Sequence, residues 1–78
     1  MAINPKTKDA NYYFNLPYAI YLKPDKDGSW FAEIPDLPGC MTYGNSKEEV
    51  LELIEDAKQT WIEERLHDGL PIPEPTDQ

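Results

Sequence analysis

Apolar positions follow two different periods along this chain of 78 residues. From Leu16 to Lys23 they alternate. Tyr18, Ile20 and Leu22 fall on one side and Ala19, Tyr21 and Lys23 on the other, the period of two expected of a strand. The connection Pro24-Asp25-Lys26-Asp27-Gly28 ends in a residue pair that supplies the positive φ hairpins favour. A second strand is predicted over Ser29 to Ile34, with Trp30, Ala32 and Ile34 on one face and Phe31 and Glu33 on its opposite. Pro35 and Pro38 remove ladder donors and Gly39 permits a sharp turn, so the strand ends there. Cys40 to Tyr43 suffices for a short third strand.

The period then lengthens. Ser46 followed by Glu49 forms an S-x-x-E capping box, and Glu48 and Glu49 suit the positive end of a helix dipole. Val50, Leu53, Ile54, Ala57 and Trp61 recur at helical spacing and make one apolar stripe. Gly69 fits the left-handed position after the last turn, and Pro71 prevents continuation. The helix predicted over Ser46 to Asp68 spans roughly 34 Å at 1.5 Å per residue. The fold class expected is therefore α+β: a three-stranded antiparallel sheet with one long helix on one face, in the order βββα.

Two apolar surpluses remain. Leu51, Ile62 and Leu66 lie beside the main stripe and are the expected self-association edge. Aromatic residues occur on both faces of the predicted hairpin, and one helix covers only one face. The expected domain limits are a flexible lead-in over 1–11, a domain over 12–70, and an extended proline-rich tail over 71–78.

Composition sharpens this. So small a chain builds a thin core, and neither a disulfide nor a zinc site is open to one cysteine, Cys40, and one histidine, His67. Burial from a partner or from oligomerisation, as a dimer or higher, is the expected supplement. Seven basic against fifteen acidic residues give a net charge of −8. That sign opposes direct nucleic-acid binding, which releases phosphate counterions through basic residues; it suits a basic protein partner. The free thiol and the lack of an apolar leader or membrane-spanning run point to a cytoplasmic protein.

Candidate catalysts are weak. Asp25 and Asp27 sit in a turn, where Asp is expected for local hydrogen bonding. Glu33 and Asp36, three apart across a strand end, are the pair on which a metal-dependent nuclease would rest, and this is the alternative reading. His67 compensates a helix end. Cys40 is expected to be a small buried hydrophobe. No glycine-rich phosphate loop occurs. No catalytic residue, metal ligand or cofactor is therefore expected. For partner contact the expected residues are Asp27, Trp30, Glu33, Asp36 and Tyr43, around the hairpin and its corner.

Four motifs in order carry a resemblance. They are the Asp27-Gly28 turn with its aromatic strand to Ile34, the P-x-L-P-G-C corner from Pro35 to Cys40, the helix opened by Ser46-Lys47-Glu48-Glu49, and the D-G-x-P-I-P-x-P exit from Asp68 to Pro75. Together, over about sixty-five residues, they resemble the N-terminal domain of the HicB antitoxins. The resemblance implies a truncated ribonuclease H-like fold without the nuclease carboxylates. It also implies a HicA-like toxin partner, a small basic mRNA-cleaving protein whose active site the antitoxin covers. Fuller relatives carry a C-terminal operator-binding segment. Here the chain stops at Gln78, so operator binding by this chain is not expected. An orphan oligomeric domain without a toxin is the remaining reading.

Overall fold

The computed structural model describes residues 9–75. Its elements are α1 (Ala10–Phe14), β1 (Tyr21–Pro24), β2 (Trp30–Glu33), β3 (Met41–Gly44) and α2 (Lys47–Asp68). The strands form one antiparallel sheet in the order β1-β2-β3. The βββα core matches expectation, although each strand is four residues long, so that β1 and β2 are shorter than the alternation predicts and β3 begins one residue later.

Local chemistry accounts for each connection. In the β1–β2 hairpin, Gly28 N–H donates to the Asp25 carbonyl at 3.1 Å and Asp25 N–H to Ser29 at 2.8 Å, with Gly28 at φ 93°. A tight turn followed by one left-handed residue matches the twist of the two strands. The corner after β2 is a double turn. Leu37 N–H bonds the Ile34 carbonyl at 3.0 Å, and Cys40 N–H bonds the Leu37 carbonyl at 2.9 Å. Pro38 and Gly39, the latter at φ 85°, occupy the central positions that a type II turn assigns to these residue types. The corner also buries Leu37 completely. Trp61 Nε1 then donates to the Pro38 carbonyl at 2.9 Å and ties the turn to α2.

Ser46 caps α2 by accepting from Glu49 N–H at 3.0 Å, while the Glu49 carboxylate accepts from Asn45 N–H. Gly69 closes the other end at φ 70°, its N–H and that of Leu70 returning to Leu66 and Arg65. The main core gathers Tyr18, Ala32, Ile34, Leu37, Cys40, Val50 and Ile54 between the sheet and the first half of α2.

Three expectations are corrected. First, residues 9–11 are not a lead-in. Asp9 caps α1 through Tyr12 N–H at 3.0 Å, and α1 packs on α2; residues 1–8 lie outside the described range.

Second, the buried line on α2 is Val50, Ile54, Lys58 and Ile62, each four residues on from the last, whereas Leu53 is exposed. A spacing of four advances about 40° per step around a helix of 3.6 residues per turn. The covered side therefore winds from the sheet toward α1. Ile62 has no exposed surface, and Lys58 retains 7%. Lysine is buried only when its charge is answered. Here Nζ donates to the Phe14 carbonyl at 3.2 Å, at the C-terminal end of α1, and pairs with Glu55 at 3.1 Å.

Third, the proline-rich exit is packed over its described part. Ile72 lies against the core, the Tyr18 hydroxyl donates to the Pro73 carbonyl, and the Tyr12 hydroxyl donates to Glu74. Residues 76–78 lie outside the described range.

Burial raises the Tyr18 hydroxyl to about 12, with smaller pushes from Tyr13, Glu74, Asp36 and Tyr12. A folded value above the unfolded value near 10 means the folded state holds this proton longer. Its contribution to stability is complete below pH 10 and declines between pH 10 and about 12. Tyr18→Phe is expected to cost about 0.5–1.5 kcal/mol at neutral pH and to flatten that alkaline decline. Urea unfolding followed from pH 7 to pH 12 measures both, and an unchanged alkaline slope would dismiss the buried Tyr18 hydroxyl as its source.

Candidate functional site

The two faces of the sheet receive different neighbours because register decides which side chains share a side. Ala32 stands opposite Leu22 and Thr42, and Trp30 opposite Pro24 and Gly44; this set faces α2. Phe31 stands opposite Lys23 and Tyr43, and Glu33 opposite Tyr21 and Met41; these residues form the outer face. Nothing among the described residues covers them. Tyr21 is 51% exposed, Tyr43 62% and Met41 46%.

The outer face is organised. Phe31 lies at its centre, with its ring centroid 5.1 Å from that of Tyr43 and 6.3 Å from that of Tyr21. Those separations fall in the range of favourable tilted and edge contacts. Lys23 and Asp25 complete an open groove of about 250 Å³ beside the three rings. Aromatic side chains of this kind are enriched at protein interfaces, where a large apolar surface comes with few rotatable bonds.

The five expected contact residues do not lie together. Glu33 and Tyr43 lie on the outer face. Asp27 belongs to the hairpin turn, where its carboxylate accepts from Ser29 Oγ at 2.6 Å and Ser29 N–H at 3.0 Å. The Ser29 hydroxyl, then its backbone N–H, holds Asp27 below the usual carboxylate range. Asp36 is half-buried in the corner, close enough to add to the upward push on Tyr18. Trp30 is the clear correction: it faces α2 and packs against the core, so it is not available as an outward anchor. Of the self-association edge, Leu51 and Leu66 are partly exposed, but Ile62 is wholly inside the chain.

Tyr21, Phe31, Met41 and Lys23 were absent from the expected set. Alternation already placed Phe31 on the side away from Trp30 and Tyr21 on the side away from Leu22, and the β1–β2 register brings the two together. Their junction with Tyr43 and Met41 depended on the register of β3, which the corner turn sets.

Chemical groups elsewhere are muted. Cys40 is 1% exposed, and burial pushes its thiol up, against the reactive thiolate form. Among the described residues no group of three or more His, Cys, Asp or Glu side chains is placed to hold a metal ion. No described helix is long and apolar enough to cross a membrane.

A three-stranded sheet backed by a helix on one face and left uncovered by the described residues on its other, aromatic face defines a small α+β module. Residues 18–78 match the family model of the HicB-like antitoxins of bacterial toxin–antitoxin systems. The chain belongs to that family. Antitoxin HicB 1 of Photorhabdus laumondii is 36% identical over 66 residues, which cover 82% of this chain and 43% of that protein. The UPF0150 protein of Archaeoglobus fulgidus is 32% identical over 56 residues, 69% of this chain and 81% of that protein. UPF0150 protein Ta0767 of Thermoplasma acidophilum is 34% identical over 58 residues, covering 74% and 84% respectively. This chain thus spans less than half the length of the Photorhabdus antitoxin and most of the length of the archaeal proteins.

Proposed function

We propose that this chain neutralises a small basic mRNA-cleaving toxin of the HicA type by binding over its active site, and that it catalyses no reaction itself. The observation that carries the reading is the uncovered outer face, where Tyr21, Phe31 and Tyr43 form one exposed aromatic row. A face of this kind supplies the apolar anchor that a protein interface needs. The net charge of −8 supplies the complement to a basic partner and speeds its encounter. Family membership supplies the kind of partner. For self-association the reading retains Leu51 and Leu66, the two partly exposed residues of that edge.

Co-expression with a HicA-type toxin tests the proposal. The wild-type chain is expected to restore growth and to co-purify with that protein. Phe31→Ala with Tyr43→Ala is expected to weaken the complex by about 2 kcal/mol or more, roughly 30-fold in Kd. Thermal unfolding of the free variant controls for folding. Loss of growth rescue by the wild-type chain would end the antitoxin reading. Full-strength binding by a folded double variant would move the interface off the sheet.

A further inference from the structure

Among the described residues the sheet in the order β1-β2-β3 has two open edges, and they are not equivalent. In an antiparallel pair the residues of each strand alternate between pointing their N–H and C=O groups at the neighbour and pointing them away. Ile34 N–H donates to the Cys40 carbonyl at 3.0 Å, which sets the phase on the β2–β3 side. Given the register, Thr42 and Gly44 then bond toward β2, and Met41 and Tyr43 turn their backbone groups out from the edge. On the far side the Asp25–Ser29 bond sets the phase, so that Leu22 and Pro24 point out of β1. Proline has no N–H to offer, and it is a common guard of exposed edges. β3 carries no proline and no charged residue.

Beside the unguarded edge runs a second groove, of about 390 Å³, between the start of β3 and α2. Ala57 and Trp61 give it apolar walls, Asp56 and Glu64 give it two carboxylates, and no basic residue lines it. We propose that the β3 edge and this groove accept an extended segment of a partner protein as a fourth strand, and that the segment alternates basic with apolar residues. For the partner's identity the proposal rests on the antitoxin reading above.

Alternation in the added strand explains the required chemistry. Successive side chains of a strand point to opposite faces. Those on the outer side would extend the row of Tyr43 and Met41 and so should be apolar. Those on the inner side would enter the groove beside Asp56 and Glu64 and so should be basic. Strand addition draws affinity from main-chain hydrogen bonds and specificity from alternate side chains, and this edge offers both. A second copy of this chain fits less well: its own β3 reads Met-Thr-Tyr-Gly and brings no base to the groove.

The test uses a short synthetic peptide alternating lysine and valine, with a glutamate–valine peptide as control, against the full chain. Binding is read by titration and amide hydrogen exchange by NMR. The lysine peptide is expected to bind saturably and to slow exchange at the Met41 and Tyr43 amides, with Leu22 on the opposite edge unchanged. Asp56→Lys with Glu64→Lys, at two exposed helix positions, is expected to weaken binding at least ~10-fold. Tyr43→Pro, which removes an outward N–H without breaking a bond to β2, is expected to abolish it.

Absence of saturable binding, or binding that leaves the Met41 and Tyr43 amides unchanged, overturns the proposal. So does protection of those amides in the peptide-free chain that disappears on dilution, because a second copy then holds the edge. Growth rescue judges the antitoxin reading separately. Peptide pairing without rescue removes the toxin as partner and keeps the edge site. Rescue without peptide pairing does the reverse.

Discussion

Ile54→Ala is expected to cost about 2–5 kcal/mol and to leave the chain only marginally folded without denaturant. Ile54 is completely buried in the cluster that joins the sheet to α2. Removing three carbons there loses their transfer free energy and leaves a cavity that the close-packed surroundings fill only partly. A single core of this size supplies about 3–5 kcal/mol in total, so one truncation consumes most of it. Leu53→Ala is the informative comparison. It lies next to Ile54 in the sequence and belongs to the same predicted stripe, but it is 37% exposed. Its loss is expected to stay near 1 kcal/mol. Urea titrations of both variants followed by circular dichroism give the contrast directly. Equal losses would mean that the buried line on α2 is not the one described.

Gly44→Ala is expected to destabilise the fold by about 1–3 kcal/mol, against the usual direction of such a change. Where the backbone conformation is ordinary, glycine to alanine commonly stabilises by about 0.4–1 kcal/mol through the unfolded state. Gly44 is not in the left-handed region, so conformation does not demand glycine there. Contact does. A Cβ at this position would lie 2.8 Å from the Val50 nitrogen and 2.9 Å from the Val50 Cα and Cβ. Two of those three atoms are backbone of the first turn of α2 and cannot swing aside, so the strand end or the helix must move. Gly44 thus lets the end of β3 pass close against the first turn of α2. Thermal unfolding of Gly44→Ala tests this, and a midpoint equal to or above that of the wild type would sink it.

The legible part of this protein was its local grammar. The Asp27-Gly28 turn, the Pro38-Gly39 corner, the Ser46–Glu49 cap and the Gly69 stop each act over a few neighbouring residues. Each falls within a residue or two of its predicted place. Alternation placed Trp30, Ala32 and Ile34 opposite Phe31 and Glu33, and the register agrees. The site was less legible. Trp30 looked like an interface anchor because it is large and aromatic, but the face turned toward α2 took it into the rim of the core. Ile62 looked surplus because α1 was not foreseen. A helix of five residues is too short to persist by propensity alone and gives almost no periodic signal. It exists because Lys58 and its neighbours on α2 hold it.

By itself, then, the sequence determined the order of the three strands and the long helix, their caps and turns, and which side chains share a strand face, because those depend on bonding between near neighbours. Tertiary structure alone decided which face stays bare, where the buried line on α2 winds, and that the proline-rich exit docks on Tyr18. Each of these turns on contacts between residues far apart in the chain, whose energies no local pattern records.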